Sequence, residues 1–219
     1  MSPAIARKPG PPRGSERTAS KETRRQQLIE ATIVQIAERG LSVFKITDVA
    51  KAAGLAAGMV NFHFDTKDQL LAQTLAHLTE EYRNCWIGAL ERAGSDPAGR
   101  LLAMIMADFD PQVCTRRKIA VWHAFYGEAK ARPAVRSQCG LNEREQLTML
   151  TTLCADLIVA GGYEGLDAGR VAGGLNAMTD GMWLAFLFSP GHIDRADAQK
   201  TVVTFLAAVF PRHFPRSAS

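Results

Sequence analysis

The residues that bear most directly on function lie between Ile46 and Lys67. Their pattern predicts two short helices separated by Gly54, because glycine enters the left-handed backbone region without steric cost and so permits a sharp reversal. Apolar residues follow helical spacing on both sides of this glycine. The opposite side of the second helix carries residues that can approach base edges and phosphates, namely Ala57, Gly58, Asn61 and Phe62. The arrangement is typical of a helix-turn-helix that presents its second helix to a DNA groove.

A second group of candidate residues lies in the C-terminal half, where aromatic rings and carboxylates recur at the spacing of helix faces. Ring faces and carboxylates together suit a quaternary ammonium ion, which cannot donate a hydrogen bond and gains roughly 0.5–2 kcal/mol from each ring. We expect a ligand pocket lined by Phe109, Asp110, Trp122, Tyr126, Asn176, Asp180 and Trp183.

A plainer interpretation of such residues stays open. Aromatic side chains at helical spacing most often belong to a core, which is what we expect of Phe125 and Phe186. A carboxylate such as Asp180 inside an apolar helix is costly to bury without a partner, and this favours a ligand. An arginine would serve as the partner equally well.

The net charge of +4 is unevenly distributed along the chain. Residues 1–70 carry 11 Lys and Arg against 7 Asp and Glu, whereas residues 71–219 carry 15 of each kind. The whole excess therefore lies with the predicted helix-turn-helix, where it would attract phosphates through a salt-sensitive interaction. An excess of this size is also common on an ordinary solvated surface.

Several classes of site are excluded by pattern. The four cysteines are too widely spaced for a zinc or redox site, which predicts reduced thiols in a cytoplasmic protein. The chain lacks the Gly-x-Ser-x-Gly, His-Glu-x-x-His and phosphate-loop motifs, so we predict no enzyme, no catalytic residue, no cofactor and no metal. The longest apolar run in the later part of the chain, Met182 to Phe188, is too short to span a bilayer, and no signal peptide is predicted.

The elements that position these residues are predicted to be helices throughout. Apolar residues recur at three- and four-residue spacing, and no segment alternates with a period of two. We predict an all-α chain of about nine helices: Lys21 to Arg39, the two short helices, Lys67 to Arg92, and segments 97–109, 112–131, 134–161, 167–188 and 194–210. The predicted organisation is a disordered basic arm at 1–20, a DNA-binding domain at 21–68, a helical ligand-binding and dimerisation domain at 69–212 and a tail at 213–219.

The segment Asp48 to Leu55, followed by Gly58, Phe64, Lys67 and Leu70-Leu71, resembles the N-terminal DNA-binding domain of TetR-family transcriptional repressors over about residues 21–72. The resemblance implies a homodimer on a pseudo-palindromic operator in double-stranded DNA. The DNA-lining residues that it implies are Lys45, Thr47, Ala57, Gly58, Asn61, Phe62, His63 and Lys67. For Phe62 packing is an equally good interpretation, and Lys67 has a second interpretation as the solvated start of the fourth helix.

Two positions depart from this family's pattern. Ala56 stands where the family often has a serine that caps the reading helix and touches phosphate. Asn61 stands where many members have tyrosine, and its amide can donate to a phosphate or pair with adenine. The operator sequence is therefore not transferable from relatives.

The C-terminal half resembles the BetI-type, choline-responsive branch of the same family, on Phe109-Asp110, Trp122 with Ala124-Phe125, and Asp180 to Trp183. This resemblance implies a small-molecule effector such as choline or a related amine, and control of betaine synthesis or choline uptake genes. It also implies a dimer contact through the helices near 167–188 and 194–210. Small and apolar residues suit such a contact, namely Ala172, Gly173, Gly174, Ala177, Val202, Phe205, Leu206 and Val209.

Rival interpretations stay open. The last two helices can instead cap a monomer core. The effector can be an unrelated small apolar or cationic molecule, or the chain can be a non-specific DNA-organising protein. In either DNA-binding case we expect a protein of the cytoplasm, associated with the nucleoid and without a membrane partner.

Overall fold

The computed structural model describes residues 13–189, 191 and 193–215, and in that part of the chain it shows nine helices and no strand. The helices are α1 Arg13–Arg39, α2 Ile46–Ala52, α3 Ala57–His63, α4 Lys67–Arg92, α5 Pro97–Ala107, α6 Arg116–Glu128, α7 Pro133–Gly161, α8 Ala168–Phe188 and α9 Arg195–Val209. The predicted all-α architecture is confirmed.

Helix α1 begins at Arg13, eight residues before the Lys21 at which the sequence predicts its start. Extending an existing helix fixes one residue for each hydrogen bond gained, which is far cheaper than nucleating a new one. The segment after Pro12 contains no further proline to stop this extension. Residues 13–20 of the predicted arm therefore belong to α1, and residues 1–12 lie outside the described residues.

The turn between α2 and α3 follows from Gly54, whose φ is +66°. The Leu55 amide donates to the Ala50 carbonyl at 2.9 Å, and the Gly54 amide donates to the Lys51 carbonyl at 3.1 Å. This pair of bonds is the Schellman motif, in which a left-handed glycine lets the end of a helix satisfy its own carbonyls. The predicted break at Gly54 is confirmed.

Helix α4 joins the DNA-binding part to the rest of the chain without interruption. It packs on α1, α5 and α7, while α6 packs along α1 and α7 pairs with α8. The buried apolar residues form one continuous cluster from Leu28 to Phe210. A movement in the C-terminal half can therefore reach α1 and the start of α4 through packed side chains.

Helix α6 starts at Arg116 rather than at residue 112 as predicted. The Asp110 side chain accepts a hydrogen bond from the Gln112 amide at 2.8 Å. The backbone carbonyl of Asp110 accepts a second hydrogen bond from the Cys114 amide, also at 2.8 Å. These bonds fold residues 110–114 into a turn, and Thr115 then caps the new helix. None of the helices in the described part of the chain combines the length and apolarity needed to cross a membrane.

Candidate DNA-binding surface and effector pocket

The outward side of α3 is exposed as the sequence predicts. Ala57, Gly58, Asn61 and Phe62 all lie on the surface, with 66% of Phe62 accessible. Val60, on the opposite side of the helix, is fully buried. Because Phe62 is large, apolar and accessible, it is available for apolar contact with a thymine methyl group, while Asn61 offers an amide.

The start of α3 has no side-chain cap, as expected from Ala56. The first amides of the helix are therefore left without the usual side-chain acceptor and remain available to a phosphate oxygen. This helix has only seven residues, too few to be stable by itself, so packing of Val60 and Phe64 holds it in place.

A basic edge formed by Lys21, Arg24 and Arg25 of α1 lies beside α3. The Lys21 ammonium sits 5.6 Å from the centre of the Phe62 ring. Burial, followed by repulsion from Lys21 and the two arginines, lowers the pKa of His63, which keeps its ring neutral at pH 7. Sequence reasoning did not single out this basic edge, although the Lys-Glu-Thr-Arg-Arg run and its helical spacing were visible.

Three further predicted DNA contacts have distinct surroundings. Lys45 and Thr47 are exposed at the start of α2. Lys67 is half-buried, and its ammonium donates to the Phe44 carbonyl at 2.9 Å and lies 4.1 Å from the Phe44 ring centre. The Lys67 side chain therefore ties the start of α4 to the loop before α2, and its contact with DNA stays a prediction.

A pocket lies between α4, α6, α7 and α8, beside the turn that follows α5. The structure brings together five of the seven predicted ligand residues there, Trp122, Tyr126, Asn176, Asp180 and Trp183. The remaining lining residues are Tyr82, Asp108, Asn142, Glu143, Gln146 and Thr179. The enclosed cavity between these side chains has a volume of about 20 Å³, room for one water molecule, and the whole cleft with its open mouth has a volume of about 400 Å³.

Asp108 lies at the base of the pocket, where it is only 4% exposed. The Tyr82 hydroxyl donates to its carboxylate at 2.5 Å and accepts a hydrogen bond from the Gln146 amide. The Trp183 indole donates to the Asp108 carbonyl at 2.9 Å. Burial raises the pKa of Asp108 to about 7, although the hydrogen bonds from Tyr82 and Thr179 oppose this rise.

Two further carboxylates, Asp180 and Glu143, stand at the mouth of the pocket. Burial, followed by repulsion from Glu143, raises the pKa of Asp180 to about 6. Asp180 is exposed on α8 and accepts a hydrogen bond from Asn176 at 3.2 Å, so solvent screens part of this rise. Burial and the nearby Glu143 also raise the pKa of Tyr126.

The aromatic walls connect the base of the pocket to its mouth. Trp122 and Tyr126 stack with ring centres 5.8 Å apart, and Tyr82 meets Trp122 and Trp183 edge-on at 6.3 and 5.9 Å. Trp122 is buried, whereas 37% of Tyr126 is accessible. Ring faces and carboxylates thus occur together, the combination that attracts an organic cation.

Phe109 and Asp110 lie outside this pocket, so their predicted place in it is wrong. Each residue from Asp108 to Asp110 donates its amide to the carbonyl three residues earlier, so successive side chains point about 120° apart. The turn sends Asp108 into the pocket, Phe109 into the core against Phe186, and Asp110 into a separate cleft beside His77.

The other residues missed by sequence reasoning had weak signals. Asn142, Glu143 and Gln146 lie on α7, whose polar residues look like an ordinary solvated face in the sequence. A run of polar residues at i, i+1 and i+4 inside a helix that is otherwise rich in leucine was a usable hint. Phe125 is buried in the core, as the sequence predicts, and the partly buried Phe186 packs against that core.

The surface of α8 carries an exposed stripe that repeats every three or four residues, consisting of Arg170, Gly174, Ala177, Gly181, Leu184 and Phe188. A similar exposed stripe on α9 consists of Asp197, Thr201, Thr204 and Ala208. Val202 and Leu206 are fully buried within the chain, and so is Ala172. These three predicted interface residues therefore belong to the protomer's own core, because α8 and α9 also pack on each other and α9 on α5.

Comparison with known proteins follows the same division of the chain. The model of the family described as bacterial regulatory proteins of the tetR family matches residues 28–74. The model described as BetI-type transcriptional repressor, C-terminal, matches residues 97–211.

Relatives match over most of the chain. The HTH-type transcriptional regulator BetI of Paraburkholderia xenovorans (strain LB400) is 32% identical over 192 residues, 86% of this chain and 94% of that protein. Its counterpart in Paraburkholderia phymatum is 34% identical over 177 residues, 80% of this chain and 86% of that protein.

Solved structures agree on the fold. A putative transcriptional regulator from Pseudomonas aeruginosa PAO1 superposes with a TM-score of 0.76 at 25% identity, covering 88% of this chain and 94% of that one. A putative transcriptional regulator from Saccharomonospora viridis in complex with choline superposes with a TM-score of 0.75 at 19% identity, covering 84% and 96%. At that identity the second likeness concerns the fold alone.

Proposed function

This chain belongs to the TetR family of bacterial regulatory proteins, with a BetI-type C-terminal region, and on that premise we propose that it is a repressor released from its operator by a choline-like organic cation. The observation that carries the ligand assignment is the buried Asp108 carboxylate at the base of an aromatic pocket. The protein acts as a regulator rather than as an enzyme, in the cytoplasm and on the nucleoid.

The DNA end of the mechanism uses α3. Its exposed side enters the major groove, where Asn61 and Phe62 meet base edges and the uncapped start of the helix meets a phosphate. Lys45, Thr47, Gly58, His63 and the basic edge of α1 extend this contact along the backbone of the DNA. Because the phosphate contacts are ionic, operator affinity falls steeply as salt rises.

Homodimerisation is supported by glycines that the protomer itself does not need. A Cβ atom added at Gly174 or Gly181 would meet no atom within 4 Å. Each glycine inside a helix costs about 0.5–1 kcal/mol relative to alanine, so its presence favours close approach by a second chain. We propose that the stripes on α8 and α9 pair with their copies about a two-fold axis, which sets the spacing of the two α3 helices.

The effector end of the mechanism uses the pocket. Asp108 supplies the counter-charge for the cation, while Trp122, Tyr126 and Trp183 supply ring faces. The S. viridis regulator, which shares this fold, binds choline in its own structure, and we propose a ligand of the same class for this pocket. Genes for betaine synthesis or choline uptake are then the natural targets.

Widening of the pocket is the proposed signal. The enclosed part of the cavity, about 20 Å³, has room for one water molecule, and we propose that a larger cation separates α6 from α7 and α8 when it binds. Helix α6 packs along α1. Lys118 of α6 forms an ion pair with Glu81 of α4 at 2.5 Å. Arg132, which follows the end of α6, forms an ion pair with Asp68 in the first turn of α4 at 2.7 Å. The shift of α6 is thereby transmitted to the DNA-binding part, where a coupling of about 1–3 kcal/mol is ordinary.

Titration of the DNA upstream of the protein's own gene, with and without choline, tests the proposal. We expect binding at least about 1000-fold tighter than to random DNA, and weaker binding when choline is added. Equal affinity for random DNA would indicate a non-specific DNA-organising protein. Specific binding that millimolar choline leaves unchanged, with thermal stability also unchanged, would indicate a repressor for another ligand.

A further inference from the structure

The pocket carries more negative charge than one choline molecule neutralises. Three of its lining residues are carboxylic acids, Asp108, Glu143 and Asp180. Among the described residues that line it there is no Lys, Arg or His. Like charges in a partly buried site repel one another, and without a cationic side chain the compensation must come from protons or from the ligand.

The three acids occupy two levels. Asp108 is buried at the base, next to Tyr82 and Gln146. Glu143 and Asp180 are exposed at the mouth. The stacked rings of Trp122 and Tyr126 run between these levels along one turn of α6, a distance of roughly 6 Å.

A buried amide in the wall of the pocket, one turn of α7 before Gln146, points to a ligand with N–H groups. Asn142 lines the pocket, is only 7% exposed, and its Oδ1 atom has no hydrogen-bond partner among the described residues. A buried acceptor left unpaired destabilises the protein, so a ligand that donates to it gains affinity. The methyl groups of a quaternary ammonium cannot donate, and choline has only its single hydroxyl as a donor, whereas a protonated primary amine offers three N–H donors at the charged group itself.

We propose that the effector of this pocket is a linear diamine or polyamine with two protonated amino groups joined by an apolar chain. One ammonium group lies at Asp108 and Asn142, and the other lies between Glu143 and Asp180. The methylene chain lies along Trp122 and Tyr126. This proposal rests on the proposed function, since it specifies the organic cation that the same pocket takes.

Calorimetric titration of the full-length protein at pH 8 provides the test, with 1,4-diaminobutane and 1-aminobutane as the matched pair. We expect the diamine to bind at least tenfold more tightly than the monoamine, because only the diamine compensates the acids at the mouth. Diamines of three to six carbons give an optimum length, and choline binds more weakly than the best of them.

Substitutions test whether Glu143 and Asp180 cause the preference for the diamine over the monoamine. In the double variant Glu143→Gln/Asp180→Asn, the ratio of diamine to monoamine affinity falls below threefold. Asp156→Asn removes an exposed acid from the same helix α7, away from the pocket, and keeps the ratio of the unaltered protein. If the double variant does not fold, the diamine to monoamine ratio of the unaltered protein still decides the matter.

Equal affinities for the two amines, or choline binding more tightly than every diamine, would overturn this inference and leave the proposed function intact. Failure of choline and all of the amines to bind at millimolar concentration would overturn the ligand part of the proposed function as well.

Discussion

The candidate DNA-binding surface and the candidate effector pocket differ in how exposed their polar groups are and in the sign of the charges around them. On α3, Asn61 and Phe62 are exposed, and Lys21, Arg24 and Arg25 of α1 lie beside this helix. In the pocket, Asp108 is buried, shares its surroundings with two other acids and has a pKa raised to about 7. The first surface suits an anionic partner, whereas the second holds unfavourable charge that a cation would relieve.

This contrast indicates how each region contributes to binding affinity and to the stability of the fold. A solvated surface such as α3 gains affinity directly from contacts with DNA, and its residues barely affect folding. A buried carboxylate such as Asp108 destabilises the empty protein, and a bound cation would restore that loss. Substitutions in the two regions should therefore separate DNA affinity, ligand affinity and stability.

The largest expected effect is that of Asp108→Asn. Removing the counter-charge from the base of the pocket should weaken binding of choline or a diamine about 100-fold or more at pH 8, as calorimetry would show. Operator affinity without effector should stay within threefold of the unaltered protein. A cation affinity that survives the substitution would show that the cation does not bind at Asp108.

The same variant should also be more stable at pH 8. The folded-state pKa of about 7 exceeds the usual aspartate value of 3.8, so ionisation of Asp108 disfavours the folded state. The stability that its proton provides is fully present below pH 4 and is lost as the pH rises through 7. Asparagine removes this loss, which is at most about 4 kcal/mol, and thermal melts at pH 5 and pH 8 measure the difference.

The change of cation affinity with pH should be smaller than the effect of Asp108→Asn. Asp180 and Asp108, with pKa values of about 6 and about 7, bind a cation in their ionised forms, so affinity should fall about tenfold from pH 8 to pH 6. The groups that face Asp108 are Tyr82, Thr179 and Asp180, and Glu143 faces Asp180. Calorimetry in buffers of different ionisation enthalpy should detect proton release near pH 6.5. A flat profile would mean that these acids are ionised before the ligand arrives.

Asn61→Ala should weaken operator binding about tenfold, because one bidentate amide contact is worth about 1–3 kcal/mol. Fluorescence anisotropy with operator DNA measures this change. Cation affinity and melting temperature should not change, since Asn61 is exposed and far from the pocket. Asn84→Ala, which truncates an exposed asparagine on α4, is the matched control and should leave operator affinity unaltered.

The smallest expected effect concerns the link between the two regions. Arg132→Gln removes the ion pair with Asp68, of which the arginine is 36% and the acid 79% exposed, together with a second pair that Arg132 makes with Glu128 at 3.2 Å. Such a pair is worth at most about 1 kcal/mol, so the factor by which the effector weakens operator binding should shrink up to about fivefold. Arg83→Gln breaks a comparable pair with Glu145 between α4 and α7 and serves as the control. If both variants shrink the coupling equally, the Asp68 contact has no special part in it.

Prediction from the sequence succeeded where the residues that act together are neighbours along the chain. The Gly54 break, the exposed side of α3 and the uncapped Ala56 all follow from local backbone preference and helical spacing. Prediction failed at Asp108, because whether residue 108 or 110 faces the pocket depends on where α5 ends and on the tight turn that follows. It also failed for Tyr82 and Asn142, whose roles depend on which helices meet.

The sequence by itself determined most of the helices, the reversal at Gly54 and the exposed side of α3, since hydrogen bonds and packing within a few residues decide them. Only the tertiary structure decided the pocket, because its residues come from helices far apart in the chain and their spacing and burial arise on packing. The raised pKa of Asp108 is the clearest example. Its cause is burial beneath α4 and α8, and no property of the neighbouring residues in the sequence indicates that burial.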